Sequence, residues 1–62
     1  MKKIVRYTSY EGSSVDQLFV GSDIFAIDAQ EVELDEHYRL CYGVGGFTKE
    51  TLIDETTQYL GL

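Results

Sequence analysis

The chain has 62 residues, a net charge of −6, one cysteine and one histidine, so we expect a single domain over residues 1–62 with no internal disulfide and no zinc site of its own. A chain this short buries only about 60% of its unfolded surface, which favours a homodimer. Its acidity disfavours direct binding of nucleic acid, because like charges repel, and favours a larger basic protein as partner.

The first part of the chain predicts strands. Residues 3–9 are rich in β-branched and aromatic side chains, which is typical of a strand. Residues 11–14 contain Gly and Ser and predict a loop. The apolar run at residues 17–20 is then predicted to be a second strand, with a short helix over residues 14–19 as the alternative.

A hairpin is predicted around Gly21-Ser22, which separates the apolar runs 17–20 and 23–28. Glycine at the first central position suits a type II′ turn, because that position needs a positive φ. Two further strands are predicted downstream, since residues 31–34 and 38–44 alternate between polar and apolar side chains. The residues between them, 35–37, are interpreted as a turn.

A C-terminal helix is predicted from Thr48, which is a suitable N-cap. Phe47 and Leu52 are spaced as a hydrophobic staple, and Glu50 lies in the first turn, where the helix dipole favours a carboxylate. Gly61 fits the position just after the helix. The side chains expected on its buried stripe are Leu52, Ile53, Thr56, Tyr59 and Leu60.

These elements together predict an α+β fold class: a small antiparallel sheet of about three to five strands with one C-terminal α-helix packed on it.

The acidic segment is the most unusual feature of the sequence. Residues 11–38 contain eight carboxylates and no Lys or Arg. On a strand over residues 31–35, the side chains of Glu31, Glu33 and Asp35 would share one face at intervals of about 6.6–6.8 Å. Such a row could imitate nucleic acid in a basic channel. The alternative is a solvated face that protects an edge strand from aggregation.

Tyrosine is the second unusual feature, because five tyrosines occur in a chain without tryptophan. Tyrosine combines apolar area with a polar tip and is enriched at binding surfaces, although these side chains could equally form the core. We therefore predict a partner-binding surface that combines carboxylates with tyrosines. Its predicted members are Asp28, Glu31, Glu33, Asp35, Glu36, Tyr38 and Tyr42.

Two other patterns are weak indications of a ligand-binding or catalytic site. The glycine-rich stretch before Lys49 is similar to a phosphate-binding loop, but Thr48 and Glu50 replace the Gly and the Ser or Thr that the signature requires beside the lysine. A weak anion site at a helix N-terminus remains an alternative. On a strand, His37 and Cys41 would lie about 13 Å apart, so we predict no metal, no cofactor and no catalytic nucleophile.

The function predicted from these patterns is inhibition of another protein rather than catalysis, because no general acid and base are paired at a useful spacing. In size, acidity and lack of a catalytic set, the chain resembles the tiny acidic proteins with which bacteriophages disable host factors, including anti-restriction and anti-CRISPR inhibitors. The resemblance implies a target such as a host nucleic-acid enzyme or defence protein.

Two alternatives to an inhibitor remain open. One is a nucleotide- or phosphate-binding module near Gly45-Gly46-Lys49, and the other is an antitoxin-like regulatory subunit. No apolar run is long enough for a signal peptide or a membrane span, so a cytoplasmic location is expected.

Overall fold

The computed structural model describes residues 1–56, which form a three-stranded antiparallel sheet and one helix. The elements in chain order are β1 (Lys2–Ser9), β2 (Ser14–Val20), α1 (Ile24–Tyr42) and β3 (Phe47–Asp54). The strand order β2-β1-β3 places β1 at the centre, antiparallel to both neighbours. The α+β class and the antiparallel sheet are confirmed, but the helix lies between β2 and β3 instead of at the C-terminus.

The two N-terminal strands form the hairpin of the fold. Their register runs from Lys2 opposite Val20 to Thr8 opposite Ser14. The turn between them includes Gly12, whose φ of 91° is a conformation that glycine adopts without steric cost. The strands predicted at residues 3–9 and 17–20 are therefore confirmed, and the alternative helix over residues 14–19 is wrong.

Helix α1 begins and ends with side chains suited to those positions. The carboxylate of Asp23 accepts a hydrogen bond of 2.8 Å from the backbone N–H of Ala26, as an N-cap does. Gly43 ends the helix with a φ of 84°, and its N–H donates to the carbonyl of Arg39. The segment after Gly21 therefore enters a helix, and the type II′ hairpin predicted there is wrong.

The strands predicted at residues 23–28, 31–34 and 38–44, and the turn at 35–37, are wrong because α1 contains nearly all of these residues. Ile27, Leu34 and Tyr38 contact the core from one stripe of the helix, and their spacing fits a period of about 3.6 residues. The alternation at residues 31–34 is too short to distinguish a strand from a helix with apolar residues on two sides.

The helix predicted from Thr48 is also wrong, because residues 47–54 form strand β3 beside β1. The β-branched residues Thr48, Thr51 and Ile53 suit a strand. The pairing of Tyr7 with Lys49 fixes the register, and an irregularity between Ile4 and Val5 shifts it near the end of β3. The later part of the predicted helix, with Tyr59, Leu60 and Gly61, lies outside the described residues.

The core lies between α1 and one face of the sheet. Val5, Tyr7, Phe19 and Ile27 are its buried hydrophobic members in the described part of the chain. Aromatic stacking extends the core along the helix, with ring centroids of Tyr7 and Tyr38 4.5 Å apart. Further partly buried hydrophobic residues pack against this cluster: Met1, Leu34, Tyr38 and Phe47. Tyr7 and Tyr38 therefore contribute mainly to packing.

We expect Gly46→Ala to lower the free energy of unfolding by roughly 2–4 kcal/mol, because a Cβ at this position would overlap the backbone carbonyl of Tyr42. Gly12→Ala is the control, since its Cβ would meet open space and only the positive φ would cost about 1–2 kcal/mol. Urea denaturation of both variants measures the difference. Equal losses would contradict the close approach of Gly46 to α1.

Candidate functional site

The seven predicted partner-binding residues all lie on α1, which distributes them around its circumference. Successive residues of a helix are rotated by about 100°, so the shared face predicted for Glu31, Glu33 and Asp35 is wrong. Glu31 and Asp35 are directed towards the sheet, where lysines bind them. The exposed members are Asp28, Glu33 and Glu36, whereas Tyr38 and Tyr42 are partly buried.

The inner charge cluster consists of Lys3, Glu31, Lys49 and Asp35. The Nζ atom of Lys3 lies 2.6 Å from one oxygen of Glu31, and Nζ of Lys49 lies 2.5 Å from the other. Lys49 also lies 2.9 Å from Asp35. Two strands thus supply cations to two helix carboxylates, and the cluster joins α1 to β1 and β3 with no net charge of its own.

The phenol of Tyr7 extends the inner charge cluster into the core. Its hydroxyl donates a hydrogen bond of 2.6 Å to Asp35, and Nζ of Lys49 lies 5.7 Å from the centre of its ring. Burial, together with the neighbouring Asp35 carboxylate, raises the pKa of Tyr7 well above its usual value. The phenol therefore remains a neutral donor, which satisfies a buried polar group.

Two groups of the cluster have shifted pKa values. Burial opposes ionisation of Glu31, but the hydrogen bonds from Lys3 and Lys49 outweigh it and hold the pKa of Glu31 below its ordinary value. Burial likewise opposes the charge on Lys49, and the carboxylates of Glu31 and Asp35 outweigh it and raise the lysine pKa above 10.5. Glu31 and Lys49 are therefore both charged at neutral pH.

The sequence patterns did not predict that Lys3 and Lys49 bind the carboxylates of this cluster. Glu31 and Asp35 are four residues apart, a spacing that places both on one side of a helix. Lys3 and Lys49 come from strands on either side of α1 in the chain. Only the helical reading of residues 24–42 would have indicated that two carboxylates face the sheet and need cations.

The outer helix face is the side of α1 turned away from the sheet. Phe25, Val32 and Leu40 are its large hydrophobic residues, and Phe25 and Leu40 are 83% and 87% exposed. Exposed side chains of Asp28, Glu33, Glu36 and Arg39 surround them. A set of large apolar side chains bordered by charges on one surface is typical of a protein interaction site.

A groove of about 520 Å³ lies between β2 and α1. Its lining combines apolar and polar side chains: Gln17, Leu18, Phe19, Gln30, Glu33, Leu34 and His37. Beside it, Nε2 of His37 lies 3.7 Å from Sγ of Cys41, so the 13 Å separation expected for a strand is wrong. Within residues 1–56, no group of three His, Cys, Asp or Glu side chains is placed to hold a metal ion.

The fold also changes the interpretation of the glycine-rich stretch before Lys49, which is similar to a phosphate-binding loop. Gly45-Gly46 connects α1 to β3, so no helix N-terminus follows it to provide backbone donors for an anion. Lys49, the cation of the predicted site, already binds Glu31 and Asp35. A phosphate at Lys49 would have to compete with two carboxylates, which disfavours a nucleotide site there.

Lys49→Met should lower the free energy of unfolding by about 1–3 kcal/mol, because it leaves two partly buried carboxylates with weaker compensation. The side chains of Glu31 and Asp35 are 12% and 17% exposed, compared with 46% for Asp16 in its pair with Arg6. Arg6→Met is therefore the control and should cost less than about 1 kcal/mol. Chemical denaturation at neutral pH compares the two, and a larger loss in Arg6→Met would contradict the role of the cluster.

Stability should decrease in acid because of Glu31. Its pKa is lowered on folding, so its stabilisation is complete above the ordinary pKa of a glutamate and is lost as the pH falls through the lower folded value. Glu31→Gln should be less stable than the wild type at neutral pH and lose less stability on acidification to about pH 3.

The control for the pH experiment is Glu33→Gln, which removes a carboxylate from the same helix without touching the inner charge cluster. Its stability should depend on pH as the wild type does. Free energies of unfolding at several pH values test this difference, and identical profiles for Glu31→Gln and the wild type would contradict it.

In the part of the chain that the structure describes, no helix has the length and hydrophobicity needed to span a membrane. Comparisons with protein-family models, with curated proteins and with solved structures give no match. The function therefore has to be inferred from the geometry and charge of the molecule itself.

Proposed function

We propose that this chain is a small protein-binding inhibitor that docks the outer helix face onto a basic site of a larger protein. The observation that carries the proposal is the exposure of Phe25, Val32 and Leu40 among carboxylates on one side of a 19-residue helix. A helix that presents apolar side chains over several turns suits a groove on a partner. The expected target is a nucleic-acid enzyme or a defence protein.

The charge of this face supports a basic partner. Asp28, Glu33 and Glu36 contribute three negative charges and Arg39 one positive charge, while the chain as a whole carries −6. Attraction between opposite charges speeds association and selects the partner, and exposed charges at a rim act mainly on the association rate. A site that binds phosphates can also bind carboxylates, which supports inhibition by occupation of that site.

The apolar residues of the outer helix face would supply most of the binding energy. Buried hydrophobic anchors at the centre of an interface carry most of the binding energy, and polar groups at the rim contribute less. Phe25 and Leu40 are the most exposed anchors on α1. Glu31 and Asp35, two of the predicted partner-binding residues, bind lysines of the sheet in the inner charge cluster.

The test is affinity capture from bacterial lysate with the tagged wild-type chain, Glu36→Lys and Glu11→Lys, at low and at high salt. We expect the wild type to retain one basic protein that is released at high salt, since the attraction is screened. Glu36→Lys should lower its recovery at least about tenfold. Glu11→Lys makes the same charge change in the β1–β2 turn and should capture as the wild type does.

The captured protein, once purified, provides the second part of the test. The wild-type chain should displace nucleic acid from it, and Leu40→Ala should do so more weakly because an anchor has been removed. Equal capture by Glu36→Lys and the wild type would show that α1 is not the binding surface. Binding without loss of nucleic-acid binding would contradict inhibition.

A further inference from the structure

The outer sheet face, opposite α1, is arranged in rows of similar chemistry. Side chains on a strand alternate between faces, and residues paired across strands share a face. Tyr7 and Val5 face the helix, so Lys2, Ile4, Arg6 and Thr8 lie on the other side. Across the strands, the register gives an aliphatic row, an ionic row and a hydroxyl row: Leu18-Ile4-Ile53, Asp16-Arg6-Glu50 and Ser14-Thr8-Thr48.

The aliphatic row is exposed on both edge strands. Leu18 and Ile53 are 56% and 42% exposed, and Val20, on the same face next to Leu18 in β2, is 57% exposed. Helix α1 packs on the opposite face, where the buried hydrophobic residues lie. A sheet is stable when each apolar face is covered by another layer, so this row indicates a contact surface.

The charge of the outer sheet face indicates which partner covers it. Lys2 and Arg6 balance Asp16 and Glu50, so its strand positions sum to zero in a chain of net charge −6. The Nε atom of Arg6 lies 2.8 Å from Asp16, so this ion pair forms within the face. A basic protein would gain little attraction here, whereas a second copy of this acidic chain would meet little repulsion.

We propose that two copies of this chain associate through their outer sheet faces. The aliphatic rows would pack together at the centre, and the ionic and hydroxyl rows would lie towards the rim, an arrangement that is common at interfaces. Both α1 helices would then lie outside, where their acidic surfaces repel each other least. The assembly is independent of the proposed target, because it uses the face opposite α1.

The test is the concentration dependence of the molar mass, measured by sedimentation from about 5 µM to about 500 µM. We expect the wild type to form dimers reversibly and Leu18→Asp to raise the dimer dissociation constant at least about tenfold, since it places a charge in the aliphatic row. Leu40→Asp makes the same change on the outer helix face and should dimerise as the wild type does.

Chemical shifts of the wild type over the same concentrations test the surface without any substitution. The methyl groups of Ile4, Leu18 and Ile53 should shift as the dimer forms, whereas those of Leu40 should not. A wild type that stays monomeric at every concentration overturns the proposal. So does a dimer that Leu40→Asp disrupts and Leu18→Asp does not, because α1 would then be the contact surface.

Discussion

The structure depends on the ion pairs that Lys3 and Lys49 form with Glu31 and Asp35. The helix has to bring carboxylates against a sheet, and the acidic segment contains no cation that could neutralise them locally. Strands β1 and β3 supply the charges, with each oxygen of Glu31 bound to a different lysine. Partly buried charges are tolerated because each has a partner within hydrogen-bond distance.

This arrangement divides the carboxylates of α1 into two groups with different uses. Glu31 and Asp35 bind the lysines that attach the helix to the sheet. Asp35 also accepts a hydrogen bond from the hydroxyl of Tyr7. Asp28, Glu33 and Glu36 remain exposed. The surface proposed to bind a basic partner is therefore smaller than the acidic segment suggests, and its apolar residues would make binding more selective than charge alone.

The sequence predicted the fold class and two strands but not the order of the elements. Residues 3–9 are β-branched and aromatic throughout, so their prediction needed no tertiary information. The segment 24–42 carries apolar residues on both sides of the helix, from Ile27 towards the core to Phe25 in solvent, and this hides the helical period. Asp23 and Gly43, which cap the helix, were the readable signals for its limits.

The candidate site was only partly predictable for the same reason. The abundance of carboxylates was visible in the sequence, whereas their division between the inner charge cluster and the outer helix face depends on the rotation of α1 over the sheet. That rotation is fixed by contacts such as the stacking of Tyr38 on Tyr7. Phe25, Val32 and Leu40 were not assigned to a binding surface, because they fall in three different predicted strands and share a face only on a helix.

The central position of β1 also governs how the chain reaches its native state. The hairpin with β2 is local, but pairing with β3 joins distant residues such as Lys3 and Asp54. Just beyond β3, the side chain of Glu55 accepts a hydrogen bond from the backbone N–H of Lys2, 53 positions away. Closing so long a loop costs entropy before its contacts form, and folding slows as contacts become more distant in sequence. One edge of β1 is covered only by its pairing with β3, so a chain in which β3 is still unpaired would expose backbone donors and acceptors that another chain could bind.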